Sequence, residues 1–195
     1  MSPPDHPLAA KWNQRYAGQT EAGAPAWVLQ HCTHLLPQQG RALDLACGLG
    51  ANARHLAQRG LHCEGWDISH HALNALDQWR GTQGERVTTC LRDVEAKPPA
   101  PSSFDVIVVS DFLHRPLCAD IAAALRPGGL LFYQTWCVDK LSASGPSNPD
   151  FLLRANELPR LFHTLELRFY QHFSRAGNLT LGDRDRAGLV AQQPR

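Results

Sequence analysis

Residues 43–57, LDLACGLGANARHLA, narrow the folds open to this chain more than any other stretch. An apolar run ends at a Gly-x-Gly turn and passes directly into a helical pattern. Gly48 and Gly50 carry no Cβ, so the backbone there can approach a ligand closely. Alone, such a turn also describes any tight strand-to-helix connection, and the surrounding pattern decides between the two. RALDLAC, ANARHLAQRG, LHCEGWD, SHHALNALDQWRG and RVTTCLRD read in turn as strand, helix, strand, helix, strand. FDVIVVS follows as a β-branched strand, CADIAAALRPGG as a helix closed by Pro-Gly-Gly, and LLFYQTW as another strand. Strands alternating with helices of this length predict an α/β fold whose parallel sheet is covered on both faces.

Two helices precede the first strand, one over residues 8–16 and one over AWVLQHCTHLL. DKLSASGPSNPD, residues 139–150, has the composition of a long loop, and ANELPRLF that of a short helix. LELRFYQHF and RDRAGLVAQQ, joined by SRAGNLTLGD, are expected as an antiparallel pair of edge strands. A length of 195 residues suits one domain over 1–195. Residues 1–38 would cover the ligand site, and 139–163 would form a candidate substrate lid.

Nineteen basic against eighteen acidic residues leave a net charge of +1, which gives a polyanion or an anionic membrane nothing to grip. A nucleic-acid partner is therefore not favoured. No apolar run approaches the ~20 residues that span a bilayer, and MSPPDHPLAAKWNQRY has no signal-peptide core, so a cytoplasmic protein is expected. A monomer or homodimer acting on a small molecule fits this composition. Cys32, Cys47, Cys63, Cys90, Cys118 and Cys137 are scattered singly and read as free thiols. His31, Cys32 and His34, or the pair His70 and His71, lack a second ligand cluster at zinc spacing, so no metal site is expected.

Ligands of open α/β sheets sit beyond the carboxyl ends of the strands, beside the first strand, where the Gly-x-Gly loop lies. Asp67 closes LHCEGWD, and a carboxylate there can accept both hydroxyls of a ribose. It can equally cap the helix that begins near Ser69, and both roles can hold together. Asp93, after the third strand, is placed to accept from an adenine amino group. Ser110 ends the fourth strand, and the residues from Asp111 to His114 form the other wall of the crevice.

LDLACGLG, GWDIS, LRD, FDVIVVSDFLHRPL and LRPGGLLFYQTW, in this order and spacing, resemble the class I S-adenosylmethionine-dependent methyltransferases. WNQRY and GPSNPDFLLRANEL look more narrowly like the bacterial tellurite-resistance and thiopurine-type branch. The resemblance implies a Rossmann-like seven-stranded sheet, mostly parallel, with an antiparallel final strand and helices on both faces. It also implies S-adenosyl-L-methionine as cofactor, leaving as S-adenosyl-L-homocysteine. By position, Asp44, Ala46, Gly48, Gly50 and Asn52 would hold its methionine part, with Ser110 opposite. Asp67 and Ile68 would hold the ribose, Asp93 and Val94 the adenine, and Trp12, Arg15 and Tyr16 would close over the methionine end. The family's acidic-x-Gly-x-Gly-x-Gly reads here Asp44-x-Ala46-x-Gly48-x-Gly50, with alanine at the first glycine.

A sulfonium methyl group is already electrophilic, so the protein's task is to align an acceptor heteroatom and exclude water. The acceptor is expected to be a thiol, a soft oxyanion or a similar heteroatom. His114 is the candidate general base for an acceptor that is protonated. Arg115 is a candidate contact for an anionic acceptor, and Phe112, Tyr133 and Trp136 are candidates for an apolar wall. No Asn/Asp-Pro-Pro-Tyr type of sequence follows the fourth strand, which speaks against methylation of nucleic-acid bases. A nicotinamide oxidoreductase and a regulatory protein that binds the cofactor without turnover are the alternatives.

Overall fold

A computed structural model describes residues 7–83 and 86–195. Helix α1 (Pro7–Tyr16) and the short α2 (Trp27–His31) lead into β1 (Arg41–Leu45), α3 (Ala51–Gln58), β2 (His62–Asp67), α4 (His70–Gln83) and β3 (Val87–Leu91). Then come β4 (Phe104–Ser110), α5 (Cys118–Ala124), β5 (Leu125–Trp136), α6 (Glu157–Leu161), β6 (Glu166–Gln171) and β7 (Arg186–Gln192). The seven strands form one sheet in the order β3-β2-β1-β4-β5-β7-β6. All neighbours are parallel except the two pairs that involve β7.

Side chains alternate along each strand, so the sheet feeds two cores. Leu43, Leu45, Ile107, Val109, Leu131 and Tyr133 pack with Ile121 of α5 and with Leu158 and Phe162 on the α6 side. Ala42, Cys63, Val106, Val108 and Phe132 pack with Leu29 of α2, Leu56 of α3 and Leu76 of α4. Strands buried on both faces read as continuous apolar runs, as FDVIVVS does. All six cysteines are free thiols, five of them buried. Among the described residues no helix is long and apolar enough to cross a membrane.

Three expectations need correction. The final pair are not both edge strands, because β7 is inserted between β5 and β6 and only β6 lies at the edge. Residues 187–191 of β7 are apolar and need cover on both faces, whereas β6 carries Glu166 and Arg168, charges suited to an exposed edge. The fifth helix stops at Ala124 instead of running on to Pro-Gly-Gly. Leu125 is already extended and pairs with Phe104 ahead of a bulge, and Pro127 disfavours a helical Arg126. The AWVLQHCTHLL helix breaks at Cys32 into α2 and a 3-10 turn over Thr33–Leu35, which ends ahead of Pro37.

Candidate functional site

The turn between β1 and α3 is built from left-handed residues. Ala46, Gly48 and Gly50 have φ of +54°, +52° and +79°. The first glycine of the family pattern is thus replaced at a position whose backbone still favours glycine. Ala46→Gly is accordingly expected to stabilise the chain by roughly 0.5–1 kcal/mol, read as a higher urea midpoint at unchanged m.

Asp44 is fully buried beneath this turn. Its Oδ2 accepts the Ala53 N–H at 2.9 Å, and its Oδ1 accepts the Asn52 amide at 3.2 Å. Burial pushes its pKa up to about 7, against the pull of those two hydrogen bonds, and nearby Asp67 adds to the rise. Asn52 joins four parts of the fold. Its amide also donates to Ser110 Oγ at 3.0 Å, and its Oδ1 accepts the Ala26 N–H at 2.8 Å ahead of α2.

Asp67, at the end of β2, is 6% exposed. One carboxylate oxygen accepts the Gly48 N–H and the other the Ser69 N–H, each at 2.8 Å. Burial raises its pKa as well, opposed by these backbone donors. The Ile68 N–H acts on the same carboxylate, which still has acceptor capacity for a ligand hydroxyl. The helix-capping role falls to Ser69, whose Oγ accepts the Ala72 N–H at 3.3 Å and donates to Asn13 Oδ1 at 2.8 Å. Asn13, which the sequence did not single out, ties α1 to the start of α4.

Tyr16 closes the turn from above. A Cβ on Gly48 would lie 2.7 Å from the Tyr16 hydroxyl, so that glycine is what lets the phenol in. Trp12 stacks on Tyr16 with ring centroids 5.9 Å apart, and the Arg15 guanidinium lies 5.7 Å from the Trp12 ring. Burial and the neighbouring Asp67 push the Tyr16 hydroxyl up to about 12, so it stays a hydrogen-bond donor at every working pH. Asp44, Ala46, Gly48, Gly50, Asn52, Asp67, Ser110, Trp12 and Tyr16 therefore converge on the β1, β2 and β4 ends, with Arg15 on the outside and Ile68 half-exposed at the rim.

The remaining expected site residues belong to the segments after β3 and β4 and to β5. Asp93 is half-exposed and accepts the Glu95 and Ala96 N–H groups, capping the turn after β3. Val94 is buried in the core with Leu113 and Leu117. The imidazole of His114 meets that turn, with Nδ1 3.4 Å from Glu95 Oε1. Arg115 is committed elsewhere: Nε and Nη2 grip Glu157 at 2.6 and 3.1 Å, while its terminal nitrogens donate to the Asp150 and Leu152 carbonyls at 2.5 and 2.9 Å. These bonds clamp the 139–163 segment to the sheet and neutralise the charge that an anionic acceptor would need. Tyr133 is core, its hydroxyl donating to the Phe112 carbonyl at 2.9 Å.

The wall beyond β4 was expected from Asp111 to His114, but its partner from β7 was not legible in the sequence. Asp111 holds φ +54° and takes a two-pronged ion pair from Arg186, at 2.6 and 3.0 Å. The Arg186 guanidinium lies 3.7 Å from the centre of the Trp136 ring. Asp111 and Arg186 are far apart in the chain, and only the insertion of β7 beside β5 brings them together.

Residues 42–129 match a family model described as a methyltransferase domain. Over 118 residues the chain is 32% identical to the ubiquinone biosynthesis O-methyltransferase of Paraburkholderia xenovorans, covering 56% of this chain and 49% of that protein. The chain thus spans about half the length of such curated relatives. The crystal structure of TehB from Haemophilus influenzae superposes on it with a TM-score of 0.68 at 20% identity, covering 95% of this chain and 66% of that one. Phosphoethanolamine N-methyltransferase 2 of Haemonchus contortus, in complex with S-adenosyl-L-methionine, superposes with a TM-score of 0.70 at 18% identity, covering 98% and 58%. At these identities the structural likenesses speak for the fold.

Proposed function

We propose that this chain, which matches a methyltransferase domain over residues 42–129 and shares the fold of S-adenosylmethionine-dependent methyltransferases, is such an enzyme and passes the cofactor's methyl group to a small acceptor bearing a thiol, soft oxyanion or similar heteroatom. The observation that carries the reading is the Gly48–Asp67 pair. A glycine N–H and a buried carboxylate meet at the ends of β1 and β2, with Tyr16 closing over the glycine. The residues fit the cofactor: Asp67 retains acceptor capacity for a ribose hydroxyl, and Asp44 and Asp67 together set a negative potential suited to a cationic ligand.

When bound, S-adenosylmethionine supplies the activated methyl group. What the chain supplies is position. Asp67 would accept the ribose hydroxyls and Asp93 would mark the adenine end, while Asn52 holds Ser110 against the β1 turn. Trp12 and Tyr16 would exclude water from the methionine end. The contact between His114 and Glu95 supports a place on the adenine side, so we assign it no proton transfer; a thiolate or oxyanion acceptor needs none. The segment 139–163, clamped by Arg115, would cover the acceptor beside Trp136 and Arg186. A net charge of only +1, too small to grip a polyanion, supports a small acceptor.

S-adenosylhomocysteine at a hundred times its Kd is expected to stabilise the chain by about 2.7 kcal/mol, seen as a raised melting temperature, with no shift from NAD. A screen of thiols, phenols, carboxylates and amines should then give cofactor turnover with a small molecule. Methylation confined to RNA or protein would overturn the acceptor class, and a shift with NAD alone would overturn the cofactor. Asp67→Asn is the informative variant, because its amide oxygen still serves one of the two backbone N–H groups, both of which Asp67→Ala would strip of their acceptor. It should abolish most of the ligand-induced shift while the chain stays folded.

A further inference from the structure

The strand order places β5 and β6 on either side of the reversed β7, so both end at the same rim. Three chemically different donors meet there. Cys137 follows β5 and is fully buried, Asp139 lies two residues on, and His172 follows β6 with a side chain only 6% exposed. His172 Nε2 lies 3.1 Å from Asp139 Oδ1, and the thiol, carboxylate and imidazole donor atoms all fall within 4.8 Å of one another. Among the described residues this is the one group of three such side chains so arranged.

We propose that Cys137, Asp139 and His172 bind a divalent cation of the zinc class, leaving one coordination position open. The donor set decides the class: a sulfur, an imidazole nitrogen and one carboxylate suit a borderline-soft ion, whereas magnesium and calcium take all-oxygen shells. Ligand atoms around tetrahedral zinc sit about 3.3–3.8 Å apart, given bonds of about 2.0–2.3 Å. The widest pair must therefore contract by no more than about 1.5 Å, and Asp139, with a third of its side chain exposed, has the freedom to do so and gives the ion its way in. The surroundings are acidic, with Asp183 and Asp185 also acting on the Cys137 thiol. As a donor the thiol reaches only the Thr135 carbonyl, at 4.0 Å. His172 is separated from the other two ligands by the whole 140–171 stretch, which hides the group from a search for local ligand spacing.

The test uses the full chain stripped with a chelator and titrated with Zn2+ against a chromophoric competitor, with Co2+ as the spectroscopic probe. One equivalent per chain is expected, with a thiolate-to-cobalt charge-transfer band in the near ultraviolet. Cys137→Ser should remove the band, and His172→Ala and Asp139→Asn should each weaken binding at least tenfold. Because Cys137 is buried, Asp139→Asn serves as the variant least disturbing to the fold, with circular dichroism as the check. Failure to take up one equivalent, uptake without the thiolate band, or uptake undiminished in Asp139→Asn and His172→Ala would overturn the site. Metal uptake is read without S-adenosylhomocysteine, so its failure is separate from failure of the methyl-transfer reading.

Discussion

Asp44→Asn should leave the chain folded, make it relatively more stable as pH rises, and weaken S-adenosylmethionine binding by tenfold to a hundredfold, about 1.4–2.8 kcal/mol. The stability half follows from burial. The folded protein holds the Asp44 proton up to a pKa of about 7, whereas an unfolded aspartate releases it near 3.8. Between those values the folded state binds more protons than the unfolded one, so rising pH removes stability across that window. The loss is complete above about pH 7 and is on the order of 4 kcal/mol at most. Asparagine carries no such cost, although its amide meets that of Asn52 less well. The difference in melting temperature between variant and wild type should therefore move in favour of the variant from pH 5 to pH 8.

The binding half has the opposite sign. A cationic ligand favours the ionised carboxylate, so wild-type affinity should rise through the same pH window with release of a proton, while the variant's affinity stays low and flat. Calorimetry in two buffers of different ionisation enthalpy reads the proton directly. Equal affinities for variant and wild type at pH 8 would remove Asp44 from the site. Asp67 is shifted in the same direction by burial, so its own titration adds to the wild-type slope and persists in the Asp44 variant.

The second large effect belongs to the two glycines of the turn, which should fail in different ways. A Cβ on Gly50 would lie 2.5 Å from Leu76 Cδ1, deep in the core, at a φ of +79°. Leu76 has nowhere to go, so Gly50→Ala combines left-handed strain with overpacking and should cost about 2–5 kcal/mol. At the upper end it would unfold the chain. A Cβ on Gly48 meets only the far end of Tyr16 on the covering helix, which can swing away. Gly48→Ala should therefore cost about 1–2 kcal/mol of stability but most of the ligand-induced thermal shift. Adding Tyr16→Ala should relieve the steric part of the Gly48 defect and none of the Gly50 defect. Equal urea midpoints for the two single variants would contradict the packing described here.

The chain's own pattern determined a good deal. Gly48, Gly50, the acidic residues at or near the ends of β1 and β2, and the alternation of apolar runs with helical stretches placed the candidate ligand crevice at the β1 and β2 ends. Those features are local: a turn that needs glycine, a strand that needs alternation, a cap that needs an oxygen. Tertiary structure decided the rest. The position of β7 depends on which strand can bear an exposed edge, and the early end of α5 depends on a strand partner for Leu125 that local propensity does not know. Arg115 became a clamp and His114 a partner of Glu95 because their neighbours come from distant segments. Asp111 with Arg186, and Cys137 with His172, meet only after the sheet is assembled, since sequence spacing carries no signal for contacts made across a reversed strand.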